Sequence, residues 1–215
     1  MLAWFPDDVT LLGGLLGLIG LFGGAIGLAQ IARDRGKRLQ SELFKRWGGA
    51  PSVLILRHRD CHINPNTKKR YHEVLAEMIP SLRLPTAKEE EEDPTGADSV
   101  YESCSDYLRE KTRSATDFPL LLSENVNFGT RRNLLGLKPI GIVLCLLALG
   151  SDGVVLLLRY PDQVMYPIIG SLVTFILLLL WILKVTPNWI RSSAFAYSER
   201  LLASCETLSQ KITKI

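Results

Sequence analysis

The stretch 9–32, VTLLGGLLGLIGLFGGAIGLAQIA, decides the fold because it is a long apolar run without a charged side chain. As a helix rising about 1.5 Å per residue, it is long enough to cross a hydrocarbon core about 30 Å thick. Asp7 and Asp8 precede the run, and Arg33 and Arg35 follow it. A signal peptide would carry its basic residues first. We therefore expect a retained membrane helix that starts outside and ends in the cytoplasm.

The charges of the chain are segregated along its 215 residues. Residues 1–32 contain no Lys or Arg, whereas residues 33–138 contain 19 Lys and Arg and 16 Asp and Glu. Residues 139–215 contain only 6 Lys and Arg and 4 Asp and Glu. A soluble enzyme rarely separates its charges in this way, so an ordinary cytosolic enzyme is excluded. The net charge of +3 is too small to indicate a nucleic-acid partner, and none is expected.

Two further apolar segments, 139–158 and 166–185, predict a second and a third membrane helix. Lys138 precedes the second and Lys184 lies at the end of the third, which places both of these ends in the cytoplasm. The turn Arg159–Met165 then lies outside. The sequence thus predicts a multi-pass protein of the cell membrane, with its N-terminus outside and its C-terminus in the cytoplasm.

The remaining segments complete an all-α architecture. Residues 33–138 form a small helical cytoplasmic domain inserted between the first two membrane helices, and residues 188–215 form a cytoplasmic amphipathic helix. Asp152 interrupts the second span, where an ionised carboxylate costs about 2.5–3.5 kcal/mol. The span either shifts so that Asp152 meets water at the outer interface, or Asp152 lines a pore or carries protons.

A glycine stripe marks the first span: the residues that share one helix face are Gly13, Gly17, Gly20, Gly24 and Gly27. Small residues let helix backbones approach closely in lipid, where packing drives association. The stripe predicts either self-association into a homo-oligomer or packing against the other two spans of the same chain.

Helical periodicity and chain breakers divide the insert. The first membrane helix is expected to continue through Gln30–Trp47 and to end at the glycine pair that follows. Further helices are predicted at Lys68–Ile79 and Ala97–Arg113, with a short one at Pro119–Phe128 ended by Gly129. No strand pattern is convincing.

Two further patterns are an acidic run in the insert and a row of apolar residues along the tail helix. The acidic run Glu89–Asp93 predicts a solvated face or a first helical turn. Along the tail helix, apolar residues recur at near-heptad spacing and must be covered by the insert or by a neighbouring copy; they are Ile190, Ala194, Tyr197, Leu201, Cys205, Leu208, Ile212 and Ile215.

The densest polar cluster holds all three histidines of the chain. Nitrogen and sulfur ligands for a metal could come from His58, Cys61, His62 and His72. A pocket for an anionic ligand could use Arg57, Arg59, Lys68, Lys69 and Arg70, because guanidinium forks suit phosphate. The third interpretation is a buried hub of ion pairs and hydrogen bonds, in which Arg57 or Arg59 pairs with Asp60 or Glu73.

These observations favour a non-enzymatic membrane protein that oligomerises and couples a cytoplasmic sensing or docking domain to its membrane helices. It could act as a membrane-perturbing effector. Its expected partners are membrane lipid, further copies of itself, and a cytoplasmic protein or an anionic small molecule; the sequence identifies no cofactor. Two alternatives stay open: a membrane-tethered metal hydrolase that uses His58, Asp60, Cys61, His62 and His72, and a scaffold subunit of a larger membrane complex.

Overall fold

The computed structural model describes residues 7–159 and 164–212, with side chains for residues 23–158 and 164–211. Every regular element in this part of the chain is helical, which confirms the all-α prediction. A π-helical segment, Leu180–Lys184, joins the seventh helix to the eighth. The helices are α1 Asp7–Trp47, α2 Pro51–Leu56, α3 Pro65–Met78, α4 Ala87–Glu92, α5 Pro94–Lys111, α6 Pro119–Arg159, α7 Met165–Leu179 and α8 Pro187–Ile212.

Helix α1 runs without a break through both the predicted first span and its extension, so the predicted helix at Gln30–Trp47 is confirmed. It ends as expected at Gly48 and Gly49, whose φ angles are 85° and 146°. Side chains disfavour both conformations, and the N–H of Gly49 donates to the carbonyl of Phe44 at 2.8 Å. The chain therefore turns sharply into α2.

Helix α6 corrects one prediction. The short helix Pro119–Phe128 does not end at Gly129; it continues through Gly129 and Pro139 to residue 159. A glycine inside a helix costs about 1 kcal/mol and a proline about 3 kcal/mol. Packing of α6 against α1, α7 and α8 along its length outweighs these local costs.

Two helices are long and apolar enough to cross a membrane: α6, through its second half, and α7 with the π-helical segment. We call residues 140–158 and 165–184 the apolar arm. Their large side chains stay exposed, for example Leu157 at 83% and Leu183 at 71%. The side chains of residues 9–22 in the predicted first span, and residues 160–163 of the predicted outer turn, lie outside the described part.

The rest of the described chain forms what we call the helical body: the end of α1, helices α2–α5, the first turns of α6, and α8. Its core contains side chains from α2, α3, α5 and α8, including Leu56, Leu75, Tyr101 and Leu201, which are all fully buried. Each such burial contributes about 1.5–3 kcal/mol. The tail helix is thus an integral part of this core.

The apolar stripe of α8 is covered by the same chain. Ile190, Ala194, Leu201, Cys205 and Leu208 are buried against the body, and Tyr197 packs beside them. Of the two predicted covers for this stripe, the insert is the one that the structure shows. Ile212 and Ile215 lie outside the described side chains.

Helices α1 and α6 come closest where Gly36 meets Gly136. A methyl group at Gly136 would lie 2.8 Å from the backbone nitrogen of Gly36, and one at Gly36 would lie 2.5 Å from Oδ1 of Asn133. Both positions therefore require the absence of a side chain. This crossing lies between the helical body and the apolar arm.

Asp152 lies between the two helices of the apolar arm. Its Oδ2 accepts a hydrogen bond of 3.4 Å from Ser171 Oγ on α7, and a methyl group at Gly170 would lie 3.1 Å from the same oxygen. The carboxylate therefore lies against α7 at Gly170, where there is no side chain. The two interpretations of Asp152 stay predictions.

Candidate functional site: a clamped loop and its cavity

The loop between α2 and α3, residues 57–64, carries most of the predicted site residues; we call it the α2–α3 loop. Lys68, in the second turn of α3, reaches back into it. Its Nζ donates to the carbonyls of Arg57 and Asp60, both at 2.5 Å, and the residue is only 6% exposed. Burial lowers the pKa of this amine, while the charges of Asp60, Cys61 and Glu90 oppose that shift.

Glu90 holds the same loop from the opposite side. Its carboxylate accepts hydrogen bonds from the N–H of His58 at 2.7 Å, the N–H of Arg59 at 3.4 Å and the hydroxyl of Tyr101 at 2.8 Å. Burial alone raises the pKa of Glu90. The three hydrogen bonds outweigh that effect and lower it below its ordinary value. An ionised carboxylate therefore stabilises the loop.

The acidic run supplies the first turn of α4 through Glu89 and Glu90, which confirms one of the two predicted alternatives. The other alternative, a solvated face, is wrong for Glu90, which is 2% exposed. The reason is the start of α4, where Thr86 and Glu89 form a reciprocal capping box. That cap fixes where α4 begins, and Glu90 in its first turn accepts from the N–H groups of His58 and Arg59 in the α2–α3 loop. Glu91 and Glu92 are exposed, as predicted.

The ion pairs around the loop differ from those of the predicted hub. Arg57 pairs with Asp98 of α5 at 2.5 Å and also donates to the carbonyl of Gly48 at the end of α1. Arg59 lies 3.8 Å from Glu90. The expected partners, Asp60 and Glu73, are used elsewhere: Asp60 accepts from the N–H of His62, and Glu73 lies 3.9 Å from Lys69.

A cavity of about 460 Å³ opens between the α2–α3 loop and the first turns of α3. This volume is in the range of small-molecule sites. The residues that line it are His58, Asp60, Cys61, Ile63, Pro65, Lys68, Lys69, His72 and Glu73. Lysines, histidines and carboxylates thus share one wall of a concave space.

The two histidines of the cavity hold fixed orientations. His58 Nε2 lies 2.9 Å from the carbonyl of Pro85, and His72 Nε2 lies 2.8 Å from the carbonyl of Leu56. Since a carbonyl can only accept, both rings carry hydrogen at Nε2. Burial lowers the pKa of His72 more than its hydrogen bond to Leu56 raises it, so the ring is neutral at physiological pH.

The structure gathers only part of each predicted residue set. From the anion set, Lys68 and Lys69 line the cavity, whereas Arg57 and Arg59 serve the loop contacts and Arg70 lies 3.2 Å from Glu206 on α8. These positions describe where the side chains lie; the anion site itself stays a prediction.

From the metal set, His58, Cys61 and His72 line the cavity. His62 points away to α8, where its Nε2 lies 2.8 Å from Glu199. Within the described ranges, no group of three or more His, Cys, Asp or Glu side chains is placed to hold a metal ion. The metal site therefore stays a prediction without a structural argument in its favour.

The glycine stripe is open where its surroundings are described. A methyl group at Gly24 or Gly27 would meet no atom of the described chain within 4 Å. Gly13, Gly17 and Gly20 lie outside the described side chains. At Gly24 and Gly27, therefore, no other helix of the described chain packs against the stripe.

Six cations lie next to the apolar segments in the chain, on the side of the helical body; we call them the basic belt. Lys138 donates to the carbonyls of Ile182 and Val185, where the π-helical segment ends. Arg131 donates to the carbonyl of Trp189 at 3.0 Å. The basic belt consists of Arg33, Arg35, Arg131, Arg132, Lys138 and Arg191. Sequence reasoning used some of these residues to orient the spans but missed them as a common surface.

The chain matches no protein-family model, no curated protein and no solved structure.

Replacing Glu90 by Gln should destabilise the helical body by about 1.5–3 kcal/mol, since a charged acceptor of three hydrogen bonds is lost. It should also make the free energy of unfolding depend less on pH in the acid range. A carboxylate whose pKa is lowered by folding stabilises the protein above its unfolded pKa, about 4.3, and that contribution is lost as the pH falls through the folded pKa. Thermal unfolding of the detergent-solubilised protein between pH 7 and pH 3 measures both effects.

Glu91→Gln is the matched control, because it removes the same charge from the exposed neighbouring position. It should unfold within about 0.5 kcal/mol of the wild type. Equal unfolding of the two variants would contradict the role given to Glu90.

Proposed function

We propose that this chain is an integral membrane protein whose cytoplasmic helical body responds to a bound ligand or partner and passes that response to its membrane helices. The membrane helices are residues 9–32, 139–158 and 166–185, with the N-terminus outside and the C-terminus in the cytoplasm. The observation that carries the proposal is continuity: α1 and α6 each extend without a break from an apolar stretch into the body. No flexible linker separates the two parts.

The cavity beside the α2–α3 loop is the site at which the body would bind its ligand or partner. Its volume of about 460 Å³ suits a small molecule. Lys69 is exposed at its rim, and Lys68 lies within its wall with two of its three donors already used. An anionic small molecule fits this chemistry best, and an acidic side chain of a protein partner would use the same groups.

Contacts of the α2–α3 loop supply a route from the cavity to the membrane helices. Arg57 binds the carbonyl of Gly48, which directly follows α1. His62 lies 2.8 Å from Glu199 on α8, the helix that follows the apolar arm. Beside the loop, Arg70 of α3 lies 3.2 Å from Glu206 of the same helix. A ligand that moves the loop would therefore act on α1 and α8 together. Such coupling needs two arrangements that the ligand binds differently.

Self-association through the glycine stripe completes the proposal. No other helix of the described chain packs against Gly24 or Gly27. In lipid, glycine faces associate because they let helix backbones approach closely. An oligomer whose helices rearrange on ligand binding could perturb the bilayer. The metal-hydrolase alternative has no supporting contact in the described chain, and no observation favours a scaffold role.

A leucine at Gly24 should abolish the oligomer and leave the protomer folded. The new side chain finds open space in the single chain, so only a neighbouring copy would clash with it. Chemical cross-linking in membranes and native gels in mild detergent measure the oligomer. Ala29→Leu is the control, because position 29 lies about half a helix turn from the stripe. An oligomer that survives in both variants would contradict the assigned interface.

Cys61 offers a test of sidedness without engineering, because it is the exposed cysteine of the helical body. Burial raises the pKa of Cys104 and Cys205 to about 12, so these thiols should not react. A membrane-impermeant maleimide should label Cys61 in inside-out vesicles and not in intact cells. Cys61→Ser gives the background. Labelling in intact cells would place the body outside and overturn the topology.

Occupying the cavity should alter the membrane part. Cys61 lines the cavity, so N-ethylmaleimide bound there acts as an artificial occupant. We expect alkylation of the protein in liposomes to change its ion leak or its cross-linked oligomer distribution, and Cys61→Ser to be insensitive. If complete alkylation, checked by mass spectrometry, leaves both readouts unchanged, the coupling between cavity and membrane helices is wrong.

A further inference from the structure

Cations of the helical body and cations of the basic belt have different surroundings. In the body, several arginines and lysines have carboxylate partners, such as Arg57 with Asp98, Arg70 with Glu206, and Lys211 with Asp117. Among the described side chains, no carboxylate lies within 4.0 Å of any member of the basic belt. Residues 125–138 and 163–198, which hold four of the six members, contain no Asp or Glu. Asp34 stands between Arg33 and Arg35 in the chain but forms no ion pair with them. The belt therefore presents uncompensated positive charge.

Two members of the belt lie on helices that touch: Arg33 is one turn before Gly36 on α1, and a methyl group at Gly36 would lie 3.2 Å from the carbonyl oxygen of Arg132 on α6. Burial lowers the pKa of Arg132, and the charge of Arg33 lowers it further. Two guanidinium groups that repel each other without a carboxylate between them cost free energy, because like charges interact unfavourably. An anion between them would remove this cost.

The guanidinium of Arg132 is held in place by neutral groups only. Its Nη1 donates to Gln40 Oε1 at 2.6 Å, and Nε and Nη2 both donate to Asn133 Oδ1, at 3.3 and 3.2 Å. The ring of Phe128 lies 5.8 Å from its central carbon. The group is thus oriented without being neutralised, and a guanidinium fork with free donors suits a phosphate oxygen pair.

We propose that Arg33 and Arg132 form a seat for the phosphate group of an anionic phospholipid, between α1 and α6 beside the Gly36–Gly136 crossing. This inference rests on the proposed membrane location. Ile31 and Leu28, on the turns that precede Arg33, are 46% and 51% exposed. They give α1 an exposed apolar surface directly before Arg33, where acyl chains would lie. A soluble phosphate would satisfy the arginines but would leave that surface uncovered.

The test uses the purified full chain in detergent, titrated with dioleoylphosphatidylglycerol or dioleoylphosphatidylcholine and followed by native mass spectrometry and thermal unfolding. A third arm replaces lipid by inorganic phosphate. Arg33→Gln is the main variant, since this exposed side chain can be changed without removing a structural contact. Arg113→Gln is the matched control, because it removes one exposed charge from the distal body.

We expect the wild type to bind phosphatidylglycerol in preference to phosphatidylcholine, and Arg33→Gln to bind phosphatidylglycerol about fivefold more weakly. Arg33→Gln should unfold no earlier than the wild type without lipid, because a repulsive pair is relieved. Arg113→Gln should bind like the wild type. Equal weakening by the two variants would show a diffuse charge effect and overturn the seat.

Stabilisation by inorganic phosphate equal to that by phosphatidylglycerol would overturn the assignment to lipid. Extraction of membranes with alkaline carbonate separates this inference from the proposed function. A chain released by carbonate would remove the membrane location itself. A chain that stays integral but shows no preference for phosphatidylglycerol would remove only the lipid seat.

Discussion

Helix α8 is the element on which the rest of the architecture depends. It follows the apolar arm after a break of two residues, and its side chains Leu201, Leu202 and Cys205 are fully buried in the body. Those positions lie against α2, α3 and α5, which are too short or too polar to form a core alone. The last helix of the chain therefore closes the core that earlier helices leave open, and it joins the body directly to the arm.

The partners of the charged side chains differ between the helical body and its junction with the apolar arm. Within the helical body, several cations pair with carboxylates, and two buried groups of opposite sign, Lys68 and Glu90, bind backbone groups of one loop. At the junction with the arm, cations bind carbonyls and amides instead. Neutral partners fix orientation and leave the charge available. The junction thus keeps positive charge available to an anionic environment.

Several features of the fold could be predicted from particular residues. The length of the apolar runs, the glycine pair after Trp47 and the periodicity of the tail gave the helices and the face of α8 that is covered. The end of α6 was mispredicted because Gly129 and Pro139 are local signals, and contacts with three other helices overrule them. Glu90 could not be distinguished from its acidic neighbours, since its burial depends on His58 and Tyr101, which belong to other segments of the chain.

The sequence by itself determined that the chain is helical and carries long uncharged segments, because composition and periodicity are local properties of the chain. Only the tertiary structure decided which carboxylate is buried, which lysine and histidines share a cavity, and which arginines lack a counterion. Those outcomes depend on side chains far apart in the chain, such as Gln40 with Arg132 and His62 with Glu199. No pattern within a single segment encodes such distances.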